Sequence, residues 1–238
     1  MLNEKQKARY NRQILLRDFG ERGQEILLRS SCLVVGVGGL GSIISLYIAA
    51  AGVGRIGLVD NDKVSISNLQ RQVLYRESQE NMPKAVMAAQ NLKELNSDGE
   101  YRSYQCFLNE ENAEEIISGY DIIMDATDNF KARYLINDTC VKLRKPFVYS
   151  SISETSGQLA LFSPCKGKSN YRSLYPEAEQ LARQTNPSKA VMGVLPALTA
   201  CMATNEAIKY LIGSPDTLLD KLLCFDLRTN EFNTFDIG

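Results

Sequence analysis

The sequence predicts an α/β protein with a Rossmann-like fold: a mainly parallel sheet with helices on both faces and a β-hairpin at the C-terminal end. Short apolar strands alternate with helical patterns between about residues 30 and 150, an order typical of a parallel sheet. A glycine-rich turn over residues 36–41 lies between an apolar run and a predicted helix. The chain has 238 residues, 44% of them hydrophobic, which is enough to bury one sizeable core. We therefore predict a single domain over residues 1–238.

The predicted elements follow one another in a regular order. Residues 4–28 form two helices with a break near Phe19-Gly20. The alternating part then has strands at 32–36, 55–60, 101–106, 120–125 and 146–150, and helices at 43–51, 83–96, 110–117 and 130–143. A strand at Gly157–Phe162, a polar irregular stretch at 164–190, a helix at 197–212 and a hairpin of runs 222–227 and 232–237 complete the chain.

Composition narrows the classes of function. The 27 basic and 28 acidic residues give a net charge of −1, so we expect neither a nucleic-acid partner nor an anionic membrane surface. We see no apolar run of about 18 residues and no leader pattern, and we expect a cytoplasmic protein. The chain has no histidine, which excludes catalytic triads with a histidine base and histidine-ligated metals.

The glycine-rich turn has the pattern of a phosphate-binding loop. Glycine lets the backbone turn tightly and approach a ligand closely, and the N–H groups at the start of the next helix favour an anion. Asp60 ends the second apolar strand 24 positions after Gly36, near the spacing at which an acid reaches a nucleotide ribose. Glycines alone leave two readings open, a nucleotide site or only a tight turn between strand and helix.

Further motifs decide between them. They are Arg9–Gln13, the glycine turn, Ser67–Gln72, Pro83-Lys84, Asp125–Asn129 and Gly193–Pro196. In this order they resemble the ThiF/MoeB/HesA adenylyltransferases, the bacterial relatives of ubiquitin-activating enzymes, and ThiF most of all. The resemblance covers nearly the whole chain. It implies N-terminal helices over 1–30, a nucleotide-binding core over 31–163, and a partner-binding loop, helix and hairpin over 164–238.

The resemblance also implies a function. Such an enzyme uses ATP to activate the C-terminal carboxylate of a ubiquitin-like sulfur-carrier protein of the ThiS/MoaD type, which ends in Gly-Gly. The products are an acyl-adenylate and pyrophosphate, and the pathway is thiamine or molybdopterin synthesis. A carboxylate is already ionised at neutral pH, so the absence of a histidine base is no obstacle. The expected cofactors are ATP and Mg²⁺.

Roles for single residues follow from the same resemblance. Arg71 and Lys84 would bind the phosphates, Asp128 would hold Mg²⁺, and Asp60 would bind the ribose. Arg12 would reach the terminal phosphates of a neighbouring subunit, which implies a homodimer. The rest of the nucleotide pocket would consist of Gly36, Gly38, Gly39, Gly41, Ser67, Asn68, Leu69, Gln70 and Asn129. Asp125 competes with Asp128 for the metal, or only orients a loop.

The chain departs from the family pattern in its cysteines. Many relatives hold a structural zinc with two Cys-x-x-Cys pairs, but Asn170 and Ser173 stand at the first pair here. The six cysteines are scattered and Cys165 alone cannot form a tetrahedral sulfur site, so we expect no zinc. Residues 177–192 contain no cysteine for a thiol relay, and Cys201 falls in a predicted apolar helix.

Other functions stay open at this point. The acid that is activated could instead be a small molecule or a peptide, because the 164–190 region differs from the family. An NAD-dependent dehydrogenase also uses a glycine loop followed by an acid, but the sequence shows no substrate half with a proton-transfer residue. A non-catalytic scaffold would not need Arg71, Lys84 and Asp128 together. An RNA-modifying relative would normally be basic.

Overall fold

The computed structural model describes residues 1–177, 180–181 and 190–237. The helices of the described chain are α1 Glu4–Ile14, α2 Gly20–Arg29, α3 Gly39–Ala51, α4 Ile66–Leu69, α5 Lys84–Leu95, α6 Ala113–Ser118, α7 Phe130–Leu143, α8 Tyr171–Leu174 and α9 Val194–Ile212. The strands are β1 Ser31–Val35, β2 Arg55–Val59, β3 Glu100–Tyr104, β4 Ile122–Asp125, β5 Phe147–Ser153, β6 Ser156–Phe162, β7 Lys221–Asp226 and β8 Glu231–Asp236.

The strands form one sheet in the order β3-β2-β1-β4-β5-β6-β7-β8. The first five strands in this order are parallel, and β6, β7 and β8 are added antiparallel. At the centre, Val34 lies opposite Leu58 on one side and Met124 on the other. The predicted Rossmann-like sheet and C-terminal hairpin are thus confirmed.

Helices cover both faces of this sheet, as predicted. On β1, Cys32 and Val34 belong to a core shared with α2, α3, α5 and α9, whereas Leu33 and Val35 belong to a second core shared with α6, α7 and α8. Successive residues of a strand point to opposite faces, so strands buried on both faces are apolar throughout. This is why the sequence of β1 shows a continuous apolar run rather than an alternating pattern.

Most element ends lie within a few residues of the predicted ones, and two helices begin earlier than predicted. Helix α3 starts at Gly39, so the last part of the glycine turn is already helical. Helix α9 starts at Val194 and includes Pro196, because proline is tolerated in the first turn, where its missing N–H costs no helical hydrogen bond.

The 164–190 stretch is not irregular throughout. Tyr171–Leu174 forms a short helix whose N-cap is Asn170, with a side chain that accepts a hydrogen bond from the Arg172 N–H. Residues 178–179 and 182–189 lie outside the described residues. Within the described chain, none of the helices combines the length and the apolar character needed to cross a membrane.

Candidate active site

The candidate site lies at the carboxyl edge of the parallel strands. β1, β2 and β4 end there at Val35, Val59 and Asp125, and the helices α3 and α5 begin beside the same edge. In open α/β sheets, ligands bind outside the carboxyl ends of the strands. Asp60 and Arg71 follow β2, Asp128 follows β4, and Lys84 is the first residue of α5. The predicted phosphate, ribose and metal ligands other than Arg12 therefore lie on segments that leave or enter this edge.

The four glycines of the loop have two different reasons for being glycine. Gly36 has φ +84°, and a Cβ there would lie 2.8 Å from the Ala126 carbonyl oxygen. A Cβ at Gly41 would lie 1.8 Å from the Gly36 carbonyl oxygen, so both positions are fixed by the protein's own packing. A Cβ at Gly38 or Gly39 would meet no protein atom closer than 3.4 Å. The protein's own packing therefore does not require glycine at these two positions, and the absence of side chains leaves the backbone at the start of α3 accessible to a bound phosphate.

Asp60 supports the loop from the end of β2. Its Oδ2 accepts a hydrogen bond from the Val37 N–H at 2.7 Å, and its Oδ1 accepts one from the Asp62 N–H at 2.7 Å. A carboxylate oxygen has lone pairs for more than one donor, so these bonds are compatible with a further bond to a ribose hydroxyl. The structure thus places Asp60 against the glycine loop, and its predicted contact with a ribose stays a prediction.

Lys84 is a buried cation at the first residue of α5. Its side chain is 5% exposed, and its Nζ lies 3.0 Å from Oδ2 of Asp62, whose side chain is 64% exposed. Tyr75 packs beside this pair and donates a hydrogen bond from its hydroxyl to the Val37 carbonyl oxygen at 2.8 Å. Burial raises the pKa of Tyr75 strongly, and the charges of Asp60 and Asp62 raise it further, so this hydroxyl stays a donor.

Arg71 reaches the loop from the Ser67–Arg71 segment. Its Nη1 donates to the Ser67 carbonyl oxygen at 3.3 Å, and its Cδ would be 3.6 Å from a Cβ on Gly39. Leu69 packs on the core, while Ser67 and Gln70 are exposed. Gln70 lies against Gly193, where an added Cβ would be 2.6 Å from its Oε1. The segment therefore lies between the glycine loop and the start of α9.

Asp128 and Asn129 follow β4 on the same edge. Asp128 is exposed, and its Oδ1 accepts a hydrogen bond from Asn129 Nδ2 at 3.3 Å. The Asn129 Oδ1 accepts from the Ala132 N–H at 2.9 Å and caps α7. Among the described residues, no three Cys, Asp or Glu side chains cluster as a metal cage. Mg²⁺ at nucleotide sites is usually held by one or two carboxylates plus phosphates and water, so the exposed carboxylate of Asp128 fits this ion.

Asp125 is a different kind of residue from Asp128. It is fully buried, and its Oδ1 accepts hydrogen bonds from the Thr127 N–H at 3.0 Å and the Thr127 hydroxyl at 2.7 Å. Burial raises the pKa of Asp125, and the positive charge of Arg133 opposes that rise. Of the two roles the sequence left open for Asp125, this geometry favours the orientation of a loop.

Arg12 does not join this cluster within one chain. It is exposed in the last turn of α1, and the described residues offer it no hydrogen bond or ion pair. Its predicted role depends on a second subunit and stays a prediction. Cys165 and Cys201 are both exposed, and Cys201 lies on α9, as expected.

Four residues that contact the predicted site residues or the loops that carry them received no role in the sequence analysis. They are Asp62, Gln72, Tyr75 and Arg133. Gln72 is buried against Gly38, and its Oε1 has no hydrogen-bond partner among the described residues. Asp62 and Gln72 flank or end quoted motifs, which was a usable signal. Tyr75 and Arg133 lie outside the motifs, and only their tertiary contacts reveal them.

A glycine-rich loop, two basic side chains and an exposed carboxylate lie at the carboxyl edge of a Rossmann-like sheet. Together they are typical of a nucleotide-binding protein. The chain matches the ThiF family over residues 10–238, and it belongs to that family. It is 41% identical over 239 residues to the sulfur carrier protein adenylyltransferase of Thermus thermophilus, an alignment that covers 96% of this chain and 86% of that protein.

Longer relatives match as well. The chain is 41% identical over 237 residues to the adenylyltransferase and sulfurtransferase MOCS3 of Culex quinquefasciatus, covering 99% of this chain and 54% of that protein. It thus spans about half the length of the MOCS3 relatives it matches.

Solved structures share the fold. Selenomethionine PaaA superposes with a TM-score of 0.85 at 23% identity, covering 99% of this chain and 75% of that one. The structure of E. coli MccB with ATP gives a TM-score of 0.86 at 21% identity, covering 99% and 72%.

Proposed function

We propose that this chain is an ATP-dependent adenylyltransferase that activates the C-terminal carboxylate of a ubiquitin-like sulfur-carrier protein. The observation that carries the proposal is that Arg71 lies beside Gly39 at the start of α3, while Lys84 begins α5 and Asp128 follows β4 at the same edge of the sheet. The Thermus relative, named a sulfur carrier protein adenylyltransferase, supports the same substrate class.

The reaction is an attack of a carboxylate oxygen on the α-phosphorus of ATP. A bond forms between that oxygen and the phosphorus, and the bond from the α-phosphorus to the bridging oxygen of the β-phosphate breaks. Pyrophosphate leaves with the electron pair. No proton is transferred, so a chain without histidine can catalyse the step by positioning and charge stabilisation alone.

Each charged residue then has a role that its surroundings suit. Lys84, fixed by Asp62, presents a buried cation to the phosphates, and Arg71 presents a guanidinium beside the start of α3. Asp60 accepts a bond from a ribose hydroxyl while it supports the loop. Asp128 would hold Mg²⁺, which would neutralise charge on the phosphates. Ser67, Asn68, Gln70 and Asn129 complete the pocket.

A homodimer is part of the proposal, because Arg12 has no partner in the site of its own chain. Leu15 and Leu16 follow it at the end of α1 and are 69% and 60% exposed. Two adjacent exposed leucines beside a predicted catalytic arginine suit a surface that a second copy covers. The pathway, thiamine or molybdopterin synthesis, depends on which carrier is accepted, and a cytoplasmic location stays an expectation.

The test is ATP–pyrophosphate exchange with Mg²⁺ and purified candidate carriers, with Asp128→Ala as the control. The proposal expects exchange that needs both a carrier ending in Gly-Gly and Asp128. ATP binding without exchange for any carrier would direct the search to small-molecule or peptide acids. NAD binding in place of ATP binding would favour a dehydrogenase and overturn the proposal.

A further inference from the structure

Arg133 is a buried charge to which the proposed reaction gives no role. It lies in the first turn of α7 and is 7% exposed. Burying a guanidinium is costly unless hydrogen bonds and a countercharge compensate for the lost water. Its surroundings must therefore supply that compensation, and they connect it to the site.

The contacts of Arg133 connect α7 to the loop after β4 and to β5. Its Nη2 donates to the Thr127 carbonyl oxygen at 3.0 Å and to the Ser151 hydroxyl oxygen at 3.0 Å. The guanidinium also lies over the rings of Tyr149 and Phe130, at 5.5 Å and 5.7 Å from their centroids. Cation–π contacts of this kind gain strength when water is excluded. The group is thus held in one orientation from several sides.

Asp125 holds the other side of Thr127. Its Oδ1 accepts the Thr127 N–H and hydroxyl, and its own carbonyl oxygen accepts a hydrogen bond from the Ser150 hydroxyl at 2.8 Å. The second carboxylate oxygen, Oδ2, has no hydrogen-bond partner among the described residues. The positive charge of Arg133 and the two bonds from Thr127 together compensate for burying this carboxylate.

Thr127 is consequently fixed at every polar group it has. Its N–H and hydroxyl bond to Asp125, and its carbonyl oxygen accepts from Arg133. The next residue is Asp128, whose exposed carboxylate has no comparable support of its own. The direction of the Asp128 side chain therefore depends on how firmly the peptide before it is held.

We propose that Arg133 is a positioning residue that fixes the Thr127 peptide so that the Asp128 carboxylate faces the metal and nucleotide. The inference rests on the proposed function for the metal, but the fixing of the loop is a property of the protein alone. Arg133 touches neither substrate nor metal, so it acts only through Thr127.

The test compares Arg133→Gln with a matched control, Arg55→Gln. Arg55 starts β2 at the opposite edge of the sheet, donates to the Gly119 carbonyl oxygen and lies 5.2 Å from the centroid of the Tyr120 ring. Both substitutions remove a guanidinium that stacks on a tyrosine and bonds a backbone carbonyl. Only Arg133→Gln should raise the Mg²⁺ concentration for half-maximal pyrophosphate exchange, by about tenfold, as loss of a supporting residue around a metal ligand usually does.

Amide hydrogen exchange without substrates gives an independent result. We expect the Thr127 amide, which is bonded to Asp125, to exchange at least about tenfold faster in Arg133→Gln than in wild type, and unchanged in Arg55→Gln. If Arg133→Gln does not fold, Arg133→Lys, which keeps the charge but loses the planar fork, is judged in the same way. Unchanged exchange at the Thr127 amide overturns the inference. Absence of pyrophosphate exchange in wild type would overturn the proposed function, and the amide result would still decide the role of Arg133.

Discussion

A glycine in a binding loop is needed either because the protein's own packing excludes a side chain or because a ligand occupies the space. The sequence motif does not distinguish these two reasons, but the structure does. At Gly41 the requirement is internal, because α3 passes so close to Gly36 that a Cβ would overlap a backbone oxygen at 1.8 Å. Neither backbone can move without displacing β1 or α3 from the core. At Gly39 an added Cβ would make ordinary contacts at 3.4 Å with Pro196, so the protein itself does not require glycine there.

These two positions should respond to alanine in opposite ways. Gly41→Ala should lower the free energy of unfolding by about 3 kcal/mol, because the overlap can be relieved only by moving backbone. Gly39→Ala should leave thermal stability unchanged or slightly higher, since alanine favours a helix over glycine, while ATP affinity falls by at least about tenfold, because the methyl group occupies the space left for a phosphate. Thermal unfolding and ATP titration of both variants measure this. Full ATP affinity in Gly39→Ala would mean that no phosphate lies there.

At the scale of elements, the long and periodic ones were predictable and the single-turn ones were not. Helix α7 was predicted at 130–143 and occupies those residues, because its length shows a full helical pattern and Asn129 is a strong cap. Helices α4 and α8 have four residues each, too few for a period to appear. Local sequence therefore determines long helices such as α7, whereas contacts with neighbouring elements determine short helices such as α4 and α8.

The segment before α8 shows such non-local control. Asp220, just before β7, accepts hydrogen bonds from the Lys168 N–H, the Ser169 N–H and the Ser169 hydroxyl, at 2.6–3.0 Å. Burial alone would raise the pKa of Asp220, but these bonds lower it overall. One carboxylate thus attaches residues 168–169 to the start of a strand some 50 residues later in the sequence.

Asp220→Asn should weaken this attachment by about 1 kcal/mol at pH 7, because the bonds lose their charge. Asparagine tolerates the φ of +57° at this position, so backbone strain does not confuse the comparison. Since the folded-state pKa is lowered, the stabilisation is complete above the unfolded pKa of about 3.9 and is lost as the pH falls through the folded value. The stability difference between wild type and variant should therefore disappear in acid.

Chemical denaturation at pH 7 and at a series of pH values below the unfolded pKa of about 3.9 measures how this difference declines. Asp216→Asn is the matched control, because its exposed carboxylate accepts no hydrogen bond among the described residues. Equal losses of stability in the two variants at pH 7 would contradict the role given to Asp220.

At the scale of the whole molecule, the sequence was informative about which residues gather and less so about what holds them. Asp60 and Asp128 follow parallel strands, which end at one edge of the sheet, so their placement at that edge followed from the order of elements. The contact of Lys84 with Asp62 and that of Tyr75 with Val37 join residues 22 and 38 positions apart. Such pairings depend on how loops pack across the sheet, which periodicity and spacing do not encode.

The predicted role of Arg12 requires a dimer, because Arg12 would act in the site of the neighbouring subunit. In a symmetric dimer with shared sites, each site takes Arg12 from one chain and Asp128 from the other. A heterodimer of Arg12→Ala with Asp128→Ala then contains one intact site and one doubly defective site. Random mixing of equal amounts, after subunit exchange, should restore about a quarter of wild-type pyrophosphate exchange, although each variant alone is inactive.

The matched control for this experiment is a mixture of Arg71→Ala with Asp128→Ala. The structure brings both of these residues to one edge of the same sheet within one chain, so no heterodimer of these variants contains an intact site. Recovery in the Arg12 mixture alone would locate Arg12 in the neighbouring site. An equal lack of recovery in both mixtures would mean that Arg12 does not act in the site of the neighbouring subunit. Heterodimers would then have formed without restoring an intact site.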